Sequence, residues 1–145
     1  RHSGSFIVKN YLFKMIKEHK DKIEIADLFD VLKDEDRYIH RLFEPFTFQE
    51  IGDQLMKEFS KKDVKIKSLI KVINYYNDSS IVDYLLSIYG NYEKCWHRYL
   101  LASTILKIAD KKTKAELVQK FLDDKCGLVQ EEAEYYRKKE GYSLG

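Results

Sequence analysis

The sequence predicts an all-α fold, a short right-handed α-solenoid or helical-repeat domain of about seven or eight helices. Three observations carry this expectation. Apolar residues recur at spacings of three and four along most of the 145 residues, the period of a helix with one buried face. One proline and six glycines leave few breaks for the tight turns of a sheet protein. A pattern near residue 25 returns near residue 81, which points to a duplicated helical unit.

Taken in order, Val8, Leu12, Met15 and Ile16 form an apolar stripe on a helix over 6–19, and Ile25, Leu28, Phe29 and Leu32 form the next over 23–33. Asp36 or a neighbour starts a third. Pro45 ends it near Phe43, because the ring removes a backbone donor and pushes the preceding residue out of helical geometry. Thr47-Phe48-Gln49-Glu50 is a capping box, in which threonine and glutamate each satisfy a backbone N–H, so a helix over 48–60 follows. Ser60 to Asp63 and Ser80 to Asp83 are weaker versions of the device and Thr113 to Glu116 is a full one, placing helices over 63–76, 80–90 and 114–123. The segment 93–110 is apolar on several sides through Tyr99, Leu101, Ile105 and Ile108, and is expected to be the most buried helix, with Cys95 and Trp96 in the core. A last helix over 127–140 ends at Gly141, which suits a left-handed cap.

Composition narrows the function classes. With 26 Lys+Arg against 24 Asp+Glu, the net charge of +2 excludes a simple basic nucleic-acid domain or an acidic tail. No apolar run approaches the length of a bilayer, so no membrane insertion is expected. Cys95 and Cys126 lack a C-x-x-C spacing, which predicts neither a disulfide framework nor a zinc site and favours a reducing, intracellular and cytoplasmic setting. Arg1-His2-Ser3-Gly4-Ser5 reads as a tag remnant over 1–5. The remaining 6–145 form a single helical-repeat domain with units about 23–76 and 79–140, expected to belong to a larger chain because two units are few for a free-standing array.

The duplication is visible residue by residue. Ile25-Ala26-Asp27-Leu28 returns as Ile81-Val82-Asp83-Tyr84 at an offset of 56. His40-Arg41 returns as His97-Arg98, and Phe48, Ile51, Gly52, Asp53 as Ile105, Ile108, Ala109, Asp110, both at 57. Arg41 leading to Ile51-Gly52-Asp53, and Arg98 leading to Ile108-Ala109-Asp110, resembles the second helix of the HEAT-repeat family, over about 23–53 and 79–110. The resemblance implies stacked helical hairpins sharing one continuous core. It also implies a ladder in which an inter-helix acid binds the helix-start arginine of a neighbouring repeat. Arg41 and Arg98 take the arginine place, Asp34 or Asp36 the acid in the first unit, and Asn91 or Glu93 the matching place in the second.

Candidate chemistry is sparse. No phosphate loop, H-E-x-x-H helix or nucleophile elbow occurs, so no catalytic residue, cofactor or metal is expected. Histidine can serve as a ligand or acid/base group, but the repetition of His40 and His97 marks them as structural repeat positions. Asp34, Glu35 and Asp36 read as a solvated turn, since no EF-hand spacing follows. Lys61, Lys62, Lys65, Lys67 and Lys71 form the strongest basic cluster and are the candidate binding residues, although Glu58 and Asp63 interrupt them. Eleven tyrosines suit both helix packing and protein interfaces. The expected function is a non-catalytic helical-repeat scaffold that binds another protein or another domain of the same chain. The alternative is a nucleic-acid-binding repeat domain using the lysine-rich face.

Overall fold

The computed structural model describes residues 11–32 and 36–141, and among them every regular element is helical. The chain divides between Tyr75 and Tyr76 into two compact units, 1–75 and 76–145. The first holds α1 (11–18), α2 (Ile25–Leu32), α3 (Ile39–Phe43), α4 (Phe48–Phe59) and α5 (Ile66–Tyr76), whose last residue lies at the division. The second holds α6 (Val82–Tyr89), α7 (Cys95–Ile108), α8 (Lys111–Leu122) and α9 (Gly127–Glu140). No described helix is long and apolar enough to cross a membrane.

In unit 1 the core is built from single apolar stripes. Leu28, Phe29 and Leu32 of α2 are buried, and the Phe29 ring meets the Phe43 ring of α3 edge-on at 5.2 Å. α3 stops at Phe43, two residues before Pro45, as the sequence predicts. The Thr47 capping box forms in full: Thr47 Oγ1 accepts the Glu50 N–H at 3.2 Å and Glu50 Oε1 accepts the Thr47 N–H at 2.9 Å. α4 then buries Ile51, Leu55 and Phe59 on one face. α1 differs from expectation. Its buried residues are Phe13 and Ile16, while Met15 is 40% exposed. Val8, and the stretch 6–10 of the expected helix, lie outside the described residues.

In unit 2, α9 packs on both α7 and α8, and α6 packs on α7. The expected limits of α9 and its left-handed cap at Gly141, φ 73°, are observed. Three expected helix starts are corrected. α8 begins at Lys111 because Asp110, rather than Thr113, is its N-cap, accepting the Thr113 N–H at 2.8 Å. α6 begins at Val82, after a short 3-10 turn capped by Asp78 instead of Ser80. α5 likewise starts at Ile66, since Ser60 serves the end of α4, its hydroxyl donating to the Lys57 carbonyl at 2.7 Å. α7 buries most of its second half, through Leu101, Ala102, Thr104, Ile105, Leu106 and Ile108, with Lys107 exposed. Thr104 is accommodated there because its hydroxyl bonds back to the Leu100 carbonyl at 2.8 Å.

Candidate functional site

The lysines singled out from the sequence lie around the turn between α4 and α5. All five are exposed, with Lys67 and Lys71 one helical turn apart on α5. They do not act as one group. Lys61 Nζ is 2.7 Å from the buried carboxylate of Glu58, which also accepts from Gln54 Nε2 at 2.8 Å. That carboxylate holds the Lys61 ammonium above the usual lysine range. Lys61 therefore neutralises its own helix end while its side chain stays exposed.

The repeat positions have different surroundings in the two units. Arg41 is half-buried with its guanidinium 4.5 Å from the centre of the Phe13 ring, an aromatic supplied by α1. Arg98 lies 4.6 Å from the centre of the Tyr89 ring, supplied by α6. Arg98 also donates to Asp124 Oδ2 at 2.5 Å and to the Tyr92 carbonyl at 3.3 Å. His40 is exposed, whereas His97 is half-buried and meets the Tyr92 ring edge-on at 5.9 Å. Asp34 and Glu35 lie outside the described residues. Among the described residues, no group of three or more His, Cys, Asp or Glu is placed to hold a metal ion.

The polar centre of unit 2 is Asp124, which sequence reading missed. Its side chain is 5% exposed on the turn between α8 and α9. Oδ2 accepts from Arg98 and, at 2.6 Å, from the Tyr89 hydroxyl, while Oδ1 accepts the Cys126 N–H at 2.8 Å. Gln130 Nε2 closes the same turn on the Asp124 carbonyl at 2.5 Å. Burial raises the Asp124 pKa, but hydrogen bonds from Arg98, Tyr89 and Cys126 outweigh it and hold the carboxyl below its usual range. Burial and the anionic partner push the Tyr89 phenol upward. The acid of the Arg98 pair is thus neither Asn91 nor Glu93 but a residue 26 positions downstream.

Beside this cluster Cys95 and Cys126, 31 positions apart in sequence, form a disulfide with Cα atoms 5.4 Å apart. The expectation of unbridged cysteines is corrected, and the inference to a reducing compartment loses its premise. The sequence holds one signal, that two cysteines admit a single pairing. The expected burial of Cys95 and Trp96 is also corrected. Both are exposed, Trp96 by 48%, and the burial of α7 is confined to its second half. The disulfide and the cluster border an open groove of about 900 Å³, lined among others by Leu86, Phe121 and Lys120.

A second surface of unit 2 is aromatic. Trp96 stacks near Tyr99 with ring centres 5.4 Å apart, and on α9 Tyr135 meets Tyr136 at the same spacing. Leu128 and Tyr135, 40% and 55% exposed, lie two turns apart on one face of α9. Lys139 lies 5.7 Å from both α9 ring centres. No protein-family model matches this chain, and no curated protein or solved structure matches it significantly.

Proposed function

We propose that the chain is a non-catalytic helical-repeat interaction module, and that unit 2 binds another protein, or another domain of the same chain, through exposed aromatics of α7 and α9. The observation that carries this reading is Trp96, a large apolar side chain nearly half exposed beside Tyr99 and accompanied on α9 by Leu128 and Tyr135. Tryptophan and tyrosine bury much area at small entropic cost, and they dominate the binding energy of protein interfaces. The repeat reading, and with it an α-solenoid, draws support from Arg98. It starts the second helix of the α6–α7 hairpin and binds the turn acid of the next hairpin, α8–α9, which is the ladder the HEAT resemblance implies.

The test is capture of partners from cell extract by three forms of the full chain. The native form is compared with a Trp96→Ala, Tyr135→Ala double variant and with a variant replacing Lys62, Lys65, Lys67 and Lys71 by Ala. The interaction reading expects nuclease-resistant partners that the aromatic variant loses and the lysine variant keeps. Retention of the same partners by the aromatic variant removes it. The nucleic-acid reading is favoured by the outward exposure of Lys62, Lys65 and Lys67. It expects single-stranded RNA or duplex DNA to bind with a loss on the order of a hundredfold between 50 and 200 mM salt, from about four phosphate contacts.

A further inference from the structure

We propose that Cys95–Cys126 is a thiol–disulfide exchange site for dithiols, in which Cys95 takes the incoming sulfur, Cys126 leaves, and the Arg98–Asp124–Tyr89 cluster keeps α9 seated once the bond is cut. This goes beyond the interaction reading and does not depend on it.

Access sets the direction of attack. Both cysteines border the open groove, but Cys95 is exposed at the first position of α7 whereas Cys126 is 6% exposed. A thiolate arriving through the groove reaches the Cys95 sulfur first, and the S–S bond breaks toward Cys126. Cys126 is the N-cap of the 14-residue α9 and makes no side-chain cap hydrogen bond there. Its departing thiolate forms at the positive end of the helix, which favours an anion, with the Cys95 carbonyl 3.4 Å from the same sulfur. The second thiol of the reductant then attacks its own sulfur in the mixed disulfide and releases Cys95. The reductant gives up two electrons and two thiol hydrogens and becomes a disulfide, and Cys95 and Cys126 each end as a thiol.

Cutting this bond leaves the turn fastened. Asp124 lies two residues from Cys126 and Arg98 three from Cys95, so the ion pair joins α7 to the same turn that the covalent bond joins. The Tyr89 hydroxyl and the Cys126 N–H share the same carboxylate. Val129 and Ala133 remain buried against the core, with no need of the sulfur atoms.

The experiment treats the folded, oxidised full chain briefly with glutathione, quenches with acid, alkylates free thiols and maps both cysteines by mass spectrometry. The expected product carries glutathione on Cys95 in about tenfold excess over Cys126. Reduction with dithiothreitol should then leave α7 and α9 folded and still protected, with the loss of protection greatest over 123–128, and oxidised glutathione should restore the bond. In an Asp124→Asn variant, the same reduction should extend the loss of protection along α9, while the oxidised variant keeps it. The proposal is overturned if glutathione lands mainly on Cys126, if reduction requires denaturant, if reduction of the native chain unfolds α9, or if the folded chain fails to form the bond under oxidised glutathione.

Discussion

The turn between α4 and α5 in unit 1 and the turn between α8 and α9 in unit 2 do the same topological job by different means. The first is fastened to its own helix: Ser60 bonds the Lys57 carbonyl, and Lys61 and Gln54 bond Glu58, all within three or four residues. The second is fastened to distant helices, Asp124 to Arg98 and Tyr89, and Cys126 to Cys95, across 26, 35 and 31 residues. Local fastening shapes one helix end. Distant fastening makes a turn into a junction whose loss is felt by three helices, and it gives unit 2 its polar centre. The same contrast separates the repeat positions, since Asp53 sits exposed within α4 while its counterpart Asp110 caps a new helix.

The largest break in this comparison comes from the disulfide. A Cys95→Ser, Cys126→Ser double variant should lose roughly 3–4 kcal/mol of unit 2 stability, the loop-closure value for a bridge spanning about 31 residues. Hydrogen exchange should place that loss in 76–141 and leave α2 and α4 unchanged. Equal loss in both units would mean that the two turns are not energetically separate.

Asp124→Ala should follow, at about 2–3 kcal/mol by denaturant titration of the oxidised chain. That lies below the full penalty for breaking a buried pair, because Arg98 is about a quarter exposed and recovers water. The pH dependence has a definite sign. The folded carboxyl titrates below its unfolded value of about 3.9, so its contribution is complete above that pH and is lost as pH falls through the depressed folded value. Native unit 2 should therefore soften below about pH 4 more steeply than the Asp124→Asn variant. Parallel acid profiles would show that the carboxylate is not what the turn rests on.

These two effects also mark the limit of what the sequence could reveal. Helix existence was legible because it rests on a local period, and so were the Thr47 box, the stop before Pro45 and the Gly141 cap, each set by residues within one turn. Helix starts at Asp78 and Asp110 were missed because serine or threonine a few residues on offered the same chemistry, and only backbone geometry selects among such donors. The candidate site was less legible still. Arg98 was visible as a repeat position, but its acid was sought in the preceding turn, at Asn91 or Glu93, and lies in the following one. Apolar character and periodicity place Trp96 and Met15 inward, but they do not say which neighbour covers a side chain.

Thr47→Ala sharpens the comparison from the local side. Removing the hydroxyl leaves the Glu50 N–H without its cap and should cost about 1 kcal/mol. The loss should be confined to exchange of the first turn of α4, with the α8–α9 turn unaffected. A change in unit 2 protection would contradict the division between local and distant fastening.

The smallest effect should come from Lys61→Met, and it separates two reasons for the same contact. Lys61 is 44% exposed while Glu58 is 4% exposed, so the ammonium sits in water and the carboxylate does not. An exposed ammonium contributes little to a pair, but a buried carboxylate left without donors would be costly. Gln54 still donates to Glu58 at 2.8 Å after the substitution, so the carboxylate keeps a hydrogen bond. The melting temperature should accordingly stay within error in native Gln54 background and fall only when Gln54→Leu is combined with Lys61→Met. If Lys61→Met alone destabilises unit 1 as much as Asp124→Ala destabilises unit 2, a link of three residues is as strong as one of 26, and sequence separation is not what distinguishes the two turns.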